Sequence, residues 1–361
     1  MRVVDIVDGR IDESELITTS EEISQAYKRT ILRPDDLVIA LRGKLGAIAK
    51  IGVNLAGANL TRGVALLSSS DRYHPEYLRF YLSSTIGQNL IEKNLNGSAL
   101  QEIPIASLRR LPVATPPLAE QIAIAEALKG AEARIAALEA LITKKRDLKQ
   151  AAMQQLLTGK TRLPGFSSEW ETVKLGELAE MSSGGTPTSS VSAYYGGHIP
   201  WVSISDMTGQ GKFISSTERK LTDLGLKNCS AKLFPTGTLL YAMYASLGEC
   251  SIAEAPLCSS QAILGIQPHA NTSAQFLYYY LSSIRPTVKL MGQHGTQSNL
   301  NKAMIQNFQL RLPPYKEQLA ITEILSDMDE EIAALEAEAE KAHAIKQGMM
   351  QTLLTGKVRL V

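Results

Sequence analysis

Cysteine is scarce: Cys229, Cys250 and Cys258 are too few and too irregularly spaced for a disulfide framework, and they lack the paired spacing of a zinc site. Buried free thiols are the simpler expectation. No apolar run approaches the roughly 20 residues needed to span a bilayer, and Met1-Arg2-Val3-Val4-Asp5 does not open a signal peptide, so the chain reads as cytoplasmic. The histidines His74, His198, His269, His294 and His343 form no ligand spacing. A Gly-x-Ser-x-Gly elbow is absent, which excludes the common serine hydrolase arrangement. Gly159-Lys160-Thr161 looks like the tail of a phosphate-binding loop, but Gln154 stands where the first glycine belongs, and the tripeptide closes a helical pattern instead of opening one. We expect no catalytic residue, no metal and no cofactor.

What the chain does have is a long internal repeat. Residues 116–163 align without a gap on residues 313–360, with about half the positions identical. Each copy opens with a proline pair, Pro116-Pro117 or Pro313-Pro314, and closes on Leu-Leu-Thr-Gly-Lys, with Gly159 and Gly356 placed as left-handed helix caps. Leu128, Ile135, Ile142 and Leu156 share one seven-residue phase, and Ile124, Ala131, Leu138 and Ala152 share its companion. The second copy repeats this with Leu325, Ile332, Ala339 and Leu353 beside Ile321, Met328, Leu335 and Met349, interrupted like the first by lysines at Lys145, Lys149 and Lys346. Such phasing predicts a coiled-coil seam. Net charge is +1, but the second helix is strongly acidic and the first nearly balanced. Two acidic helices would repel, whereas one of each attracts, so we expect an antiparallel pair within one chain.

The stretches before each helix also correspond, more loosely. Asp36-Leu37-Val38-Ile39-Ala40 matches Thr238-Leu239-Leu240-Tyr241-Ala242 as a strand, and Tyr77-Leu78-Arg79-Phe80 matches Phe276-Leu277-Tyr278-Tyr279 as a helix, with Tyr278, Tyr279 and Tyr280 expected in the core. Arg110-Leu111-Pro112 and Gln309-Leu310-Arg311 read as strands leading into the proline pairs. The expected fold is α+β, two α+β domains separated by two long helices: residues 1–112, the helix 113–161, residues 162–312 and the helix 313–361. If Asp5 corresponds to Asp206, the first domain has no counterpart of the loop-rich stretch 170–206, so either Met1 is a late start or that domain manages without it.

This order of parts resembles the specificity subunit of type I restriction-modification systems. The resemblance rests on Trp170-Glu171-Thr172-Val173-Lys174-Leu175-Gly176-Glu177, Gly185-Thr186-Pro187, Gly197-His198-Ile199-Pro200-Trp201, Gly295-Thr296-Gln297-Ser298-Asn299-Leu300-Asn301, and both Pro-Pro-x-x-Glu-Gln and Leu-Leu-Thr-Gly-Lys pairs. It implies two target recognition domains that each read half of a split site on double-stranded DNA, with the helices as spacer. It also implies a non-catalytic adaptor for two methyltransferase subunits and, through them, restriction subunits. Base readout then falls to loop side chains and phosphate contact to basic ones. The candidates are Arg42, Lys44, Asn59, Thr61, Arg62, Ser98 and Gln101 in the first domain, and Thr186, Tyr244, Ser246, Gln293, Thr296, Gln297 and Asn299 in the second. A coiled-coil scaffold without DNA binding, and a partly inactive subunit reading one half-site, are the alternatives.

Overall fold

The computed structural model describes residues 1–7, 9–68, 71–97, 101–293 and 299–360, with the side chains of 291–293 outside the description. It divides into two compact units, one of residues 1–141 and 335–361, the other of residues 142–334, so each unit takes part of both long helices.

In the first unit a short hairpin, β1 (Ile6–Val7) and β2 (Arg10–Ile11), precedes helix α1 (Glu21–Ala26). The strands β3 (Leu37–Ala40), β4 (Ile48–Lys50) and β5 (Val64–Leu67) form an antiparallel sheet in the order β4-β3-β5. Helices α2 (Pro75–Ser83), α3 (Thr85–Glu92) and α4 (Ile105–Leu108) lead to the first long helix, α5 (Leu118–Leu156). β3 is buried along its whole length, and one of its faces packs with Tyr77, Phe80 and Leu82 of α2 against Ile124 and Leu128 of α5 and Leu353.

The second unit contains β6 (Glu171–Lys174), α6 (Leu175–Leu178), β7 (Ala179–Ser183), β8 (Tyr195–Val202), α7 (Ile204–Gln210), β9 (Phe213–Ile214), β10 (Arg219–Leu221) and α8 (Asp223–Lys227). It continues with β11 (Leu239–Ala242), β12 (Cys250–Ala253), β13 (Cys258–Ser259), β14 (Ile263–Pro268), α9 (Ala274–Gln293), α10 (Lys302–Gln306) and β15 (Gln309–Leu312), then the second long helix, α11 (Tyr315–Leu353). Its central sheet runs β7-β14-β11-β12-β9, beside a three-stranded β10-β8-β13 sheet and the β15-β6 pair. Tyr279 is fully buried, with Tyr278 and Tyr280 half-buried against the same core. Cys250 and Cys258 are buried free thiols, Cys229 is free and half-buried, and burial pushes the Cys258 thiol up to about 12.

The two sheets are the expected counterparts: β3 and β11 each sit centrally between antiparallel neighbours. One expected strand did not form. Gln309–Leu312 becomes β15 by pairing with β6, whereas residues 110–112 pair with no strand among the described residues and stay irregular. A strand is defined by its ladder, and residue pattern alone does not supply the partner.

The long helices are antiparallel, as the charges suggested. In the first unit Lys346 Nζ lies 2.7 Å from Glu132 and Arg134 lies 2.7 Å from Glu338; in the second Lys145 lies 2.5 Å from Glu331 and Lys149 pairs with Asp329. The lysines that break the apolar phase therefore meet carboxylates of the opposite helix. Both phases are not equally buried: Ile135, Leu138 and Ile142 are covered, while Ala131, Met328 and Leu335 are only half-buried.

Each helix start is fixed in the same way by the Glu-Gln of its opening motif. Gln121 Oε1 accepts from His74 N at 2.9 Å, and its Nε2 donates to Arg72 O at 3.0 Å and Pro116 O at 2.9 Å. Gln318 repeats this with Ser273 N, Asn271 O and Pro313 O at 2.8, 3.2 and 2.9 Å. The preceding glutamates are gripped by arginines that follow the glycine caps, Arg359 on Glu120 in the first unit and Arg162 on Glu317 in the second. The glutamine thus ties the start of α2 or α9 to the start of the adjoining long helix, and the arginine ties in the end of the opposite one.

Gln121→Leu leaves three partly buried backbone groups without their partner and should cost about 1–3 kcal/mol, read as a lower denaturant midpoint. Gln318→Leu should do the same in the second unit, and a loss within 0.5 kcal/mol for both would contradict the assigned role. A second expectation concerns acid. Burial pushes the Glu132 carboxyl up, but hydrogen bonds from Arg79 and Lys346 outweigh it and hold the group below the ordinary carboxylate range. Its contribution is complete above the ordinary glutamate value of about 4.5 and is lost as pH falls through the lower folded value. Glu132→Gln should therefore weaken the protein at pH 7 and flatten the acid limb of its stability curve.

Candidate nucleic-acid interface

Some of the candidate residues gather at one corner of each sheet, built from equivalent backbone. In the first unit Leu41 N donates to Gly63 O at 2.8 Å and Leu41 O accepts from Ile103 N at 2.9 Å. In the second, Met243 N donates to Ala262 O at 2.8 Å and Met243 O accepts from Leu300 N at 3.1 Å. The residue following each anchor, Arg42 or Tyr244, emerges at the same place, at the head of the β3–β4 or β11–β12 turn. Both are exposed.

In the first unit Arg42 bridges Glu102, which itself pairs reciprocally with Asn96 and directly follows the exposed Gln101. Gly63 leaves room beside Arg42: a Cβ there would lie 3.2 Å from its Nε. Lys44 is exposed on the same turn, with its ammonium donating to Ile6 O at 3.0 Å. Arg62 is exposed one residue before Gly63. The corner thus gathers Arg42, Lys44, Arg62 and Gln101, three of them cationic, as a surface that contacts phosphate must be. Ser98 lies outside the described residues.

Asn59 and Thr61 sit elsewhere. The Asn59 amide is engaged in holding α1, accepting from Ser24 Oγ at 2.7 Å and donating to Thr30 Oγ1 at 3.3 Å, while Thr61 is exposed with its N–H on Met1 O. Both residues line a cavity beside α1.

In the second unit the β11–β12 turn carries Tyr244, Ala245 and Ser246. Ala245 adopts a left-handed backbone at φ 58°, where the equivalent turn of the first unit uses Gly43 at φ 73°. A non-glycine there is strained, and such strain concentrates where a loop is held in one functional shape. Ser246 is half-buried, and its carbonyl accepts from Glu249 N at 3.0 Å; Glu249 pairs with Arg285 beneath the turn. Asn299 is exposed next to Leu300, which bonds to Met243, so Tyr244 and Asn299 share this corner. Gln293, by its side chain, and Thr296 and Gln297 lie outside the described residues. Thr186 is exposed just after Gly184 and Gly185, where a Cβ would come within 2.3 Å of Ser259 O or Ala231 N. Only glycine lets that loop thread between those segments.

Sequence reasoning did not single out the roles of Gln121, Gln318, Glu120 and Glu317 at the helix starts. The signal was present in the repeat itself, since an identical Glu-Gln in both copies stands where a solvated helix start needs neither.

A family model for the type I restriction modification DNA specificity domain matches residues 5–146 and 167–344. The chain belongs to that family. It is 24% identical over 382 residues to the putative type I restriction enzyme MjaX specificity subunit of Methanocaldococcus jannaschii, covering 99% of this chain and 87% of the relative. The MjaIX specificity subunit of the same organism is 28% identical over 173 residues, where the match spans 47% of this chain and only 40% of the relative. A solved chain from work on complex assembly and conformational transition of the type I R-M system superposes with a TM-score of 0.64 at 19% identity, covering 98% of this chain and 90% of that one. The likeness to that structure supports the fold. No helix among the described residues is long and apolar enough to cross a membrane.

Proposed function

We propose that this chain is the DNA specificity subunit of a type I restriction-modification complex, reading a bipartite duplex through recognition domains 1–112 and 162–312, with helices 113–161 and 313–361 as spacer. It selects the site and leaves the chemistry to methyltransferase subunits, two per chain, which in turn recruit restriction subunits in the cytoplasm. What carries this reading is the recurrence of one corner: Arg42 and Tyr244 stand on equivalent backbone in two units of a family defined by DNA specificity. The two corners differ in side chains while sharing their scaffold, as two heads that read different half-sites require. A basic, Arg-led corner and a Tyr–Asn corner suit, respectively, guanine or phosphate contact and adenine contact.

The methyltransferase surface we assign to the outer faces of the helix starts. Leu118 and Ile122 are 46% and 36% exposed, and their repeat equivalents Tyr315 and Leu319 are 41% and 44% exposed. Apolar side chains left open at equivalent positions of both copies fit a partner bound once by each copy.

Two measurements test the reading. Tyr244→Ala with Asn299→Ala should weaken duplex binding by the assembled complex about tenfold or more and relax the choice of bases in one half-site only, roughly the 1–3 kcal/mol of one base contact. Unaltered affinity and site choice would remove this corner. Adding four residues after Leu141 and four after Ala334 lengthens both helices by about 6 Å, on the order of one or two base pairs. Modified-base mapping should then show a wider gap between the same half-sites, and an unchanged gap would refute the spacer.

A further inference from the structure

In the second unit the loop of residues 184–187 is pinned by its backbone at three of its four residues. Gly184 N donates to Ile263 O at 3.0 Å and Gly185 N to Ser259 O at 2.9 Å. Gly185 O accepts from the buried Trp201 Nε1 at 2.9 Å, and Pro187 O accepts from the Tyr195 hydroxyl at 2.7 Å. Both of those donors belong to β8, and their rings meet edge to face with centroids 6.4 Å apart. Trp201 is itself held by packing with Ile199, Leu221 and Cys258. Among the four loop residues only Thr186 is exposed, and its hydroxyl bonds to no group among the described residues. A connecting loop needs no such anchoring, whereas a side chain presented from a fixed backbone binds without first being ordered.

The sheet decides where that threonine comes out. β7 and β11 flank β14 and are both antiparallel to it, so they leave the sheet at the same end. Gly184 follows β7 and bonds to Ile263 O; Met243 follows β11 and bonds to Ala262 O, the residue before. The two exits thus straddle the first residues of β14, two strand spacings or about 10 Å apart. Thr186 therefore shares its end of the sheet with Tyr244 and with Asn299, which adjoins the Leu300 bonded to Met243. Along a duplex, about 10 Å is on the order of three base pairs.

We propose that the Thr186 hydroxyl reads a base of the second unit's half-site and that Tyr195 and Trp201 are the residues that position it. This rests on the DNA reading above and adds a contact at a base pair other than those met by Tyr244 and Asn299. A hydroxyl both donates and accepts, so its chemistry alone accepts any base edge. Discrimination has to come from where the oxygen is held. A loose loop would let it follow donor and acceptor edges alike, whereas the four backbone bonds keep it at one place. The tyrosine and the indole of β8 supply the two bonds nearest Thr186 on the carbonyl side, one on each flanking residue.

The test uses the full chain assembled with its methyltransferase subunits and a set of duplexes in which each base pair of the mapped site is replaced in turn. Thr186→Ala and Thr186→Val should each lower discrimination about tenfold at one base pair, distinct from any relaxed by Tyr244→Ala with Asn299→Ala. Thr186→Ser keeps the hydroxyl and should keep the discrimination. Tyr195→Phe keeps the ring against Trp201 and removes only the bond to Pro187, so it should lower discrimination about threefold at the same base pair as Thr186→Ala, with circular dichroism unchanged. A merely structural tyrosine would instead weaken binding alike for every duplex, and that result would overturn the positioning role. Full discrimination by Thr186→Val, or relaxation in the other half-site, would overturn the reading role. A site-specific wild-type complex with an indifferent Thr186→Ala would remove this inference alone. A wild-type complex that binds duplexes without site choice would remove the functional reading and this inference with it.

Discussion

Two buried carboxylates hold the spacer closed. Glu120 and Glu317 begin the long helices, where the exposed N–H groups of a first turn favour negative charge. Each is met by an arginine from just beyond the end of the opposite helix, and the Glu317 carboxylate also accepts from Trp170 Nε1 at 3.0 Å. A guanidinium offers two parallel donors in a fixed fork, so each pairing specifies direction as well as proximity. With one such lock in each unit, the antiparallel arrangement is stated twice by the same two residue types. The adjoining glutamines extend the constraint to the two α+β units, because they also satisfy the backbone at the start of α2 and α9.

Along the seam the two units solve one problem with different residues. Glu132 of the first unit is gripped by Lys346 and by Arg79, which in turn stacks over Phe80 at 4.0 Å. Its counterpart Asp329 pairs with Lys149 and accepts from the Tyr279 hydroxyl at 2.6 Å, while Lys212 donates to that hydroxyl at 2.7 Å. Burial lowers the Lys212 ammonium, and Asp329 acts against that shift. An arginine in one unit is therefore replaced by a tyrosine and a lysine from separate elements in the other. The helices are duplicated closely, whereas the domains they carry have been free to vary around a fixed point of attachment.

Arg42 and Tyr244 occupy one backbone position, set by matched hydrogen bonds to the neighbouring strand and to the segment before α4 or α10. The scaffold fixes where the side chain emerges, and the side chain decides what it can contact. The turn itself repeats the same backbone, with two left-handed residues in each unit, Gly43 and Gly46 in the first and Ala245 and Gly248 in the second.

The long helices, their antiparallel sense and the central strands β3 and β11 were legible in the sequence, because seven-residue phasing, opposite charge and a gapless repeat are local or pairwise properties of the residue string. Whether residues 110–112 would form a strand was not, since that depends on a partner distant in the chain. Nor could residue type show that Asn59 is engaged with Ser24 and Thr30 while Gln101 stands open at the corner, for both are loop amides in polar surroundings. The sequence by itself determined which segments are helices and that they must pair. Only the tertiary structure decided which polar side chains are consumed in holding loops and which stand exposed, because hydrogen-bond satisfaction is settled by contacts between segments far apart in the chain.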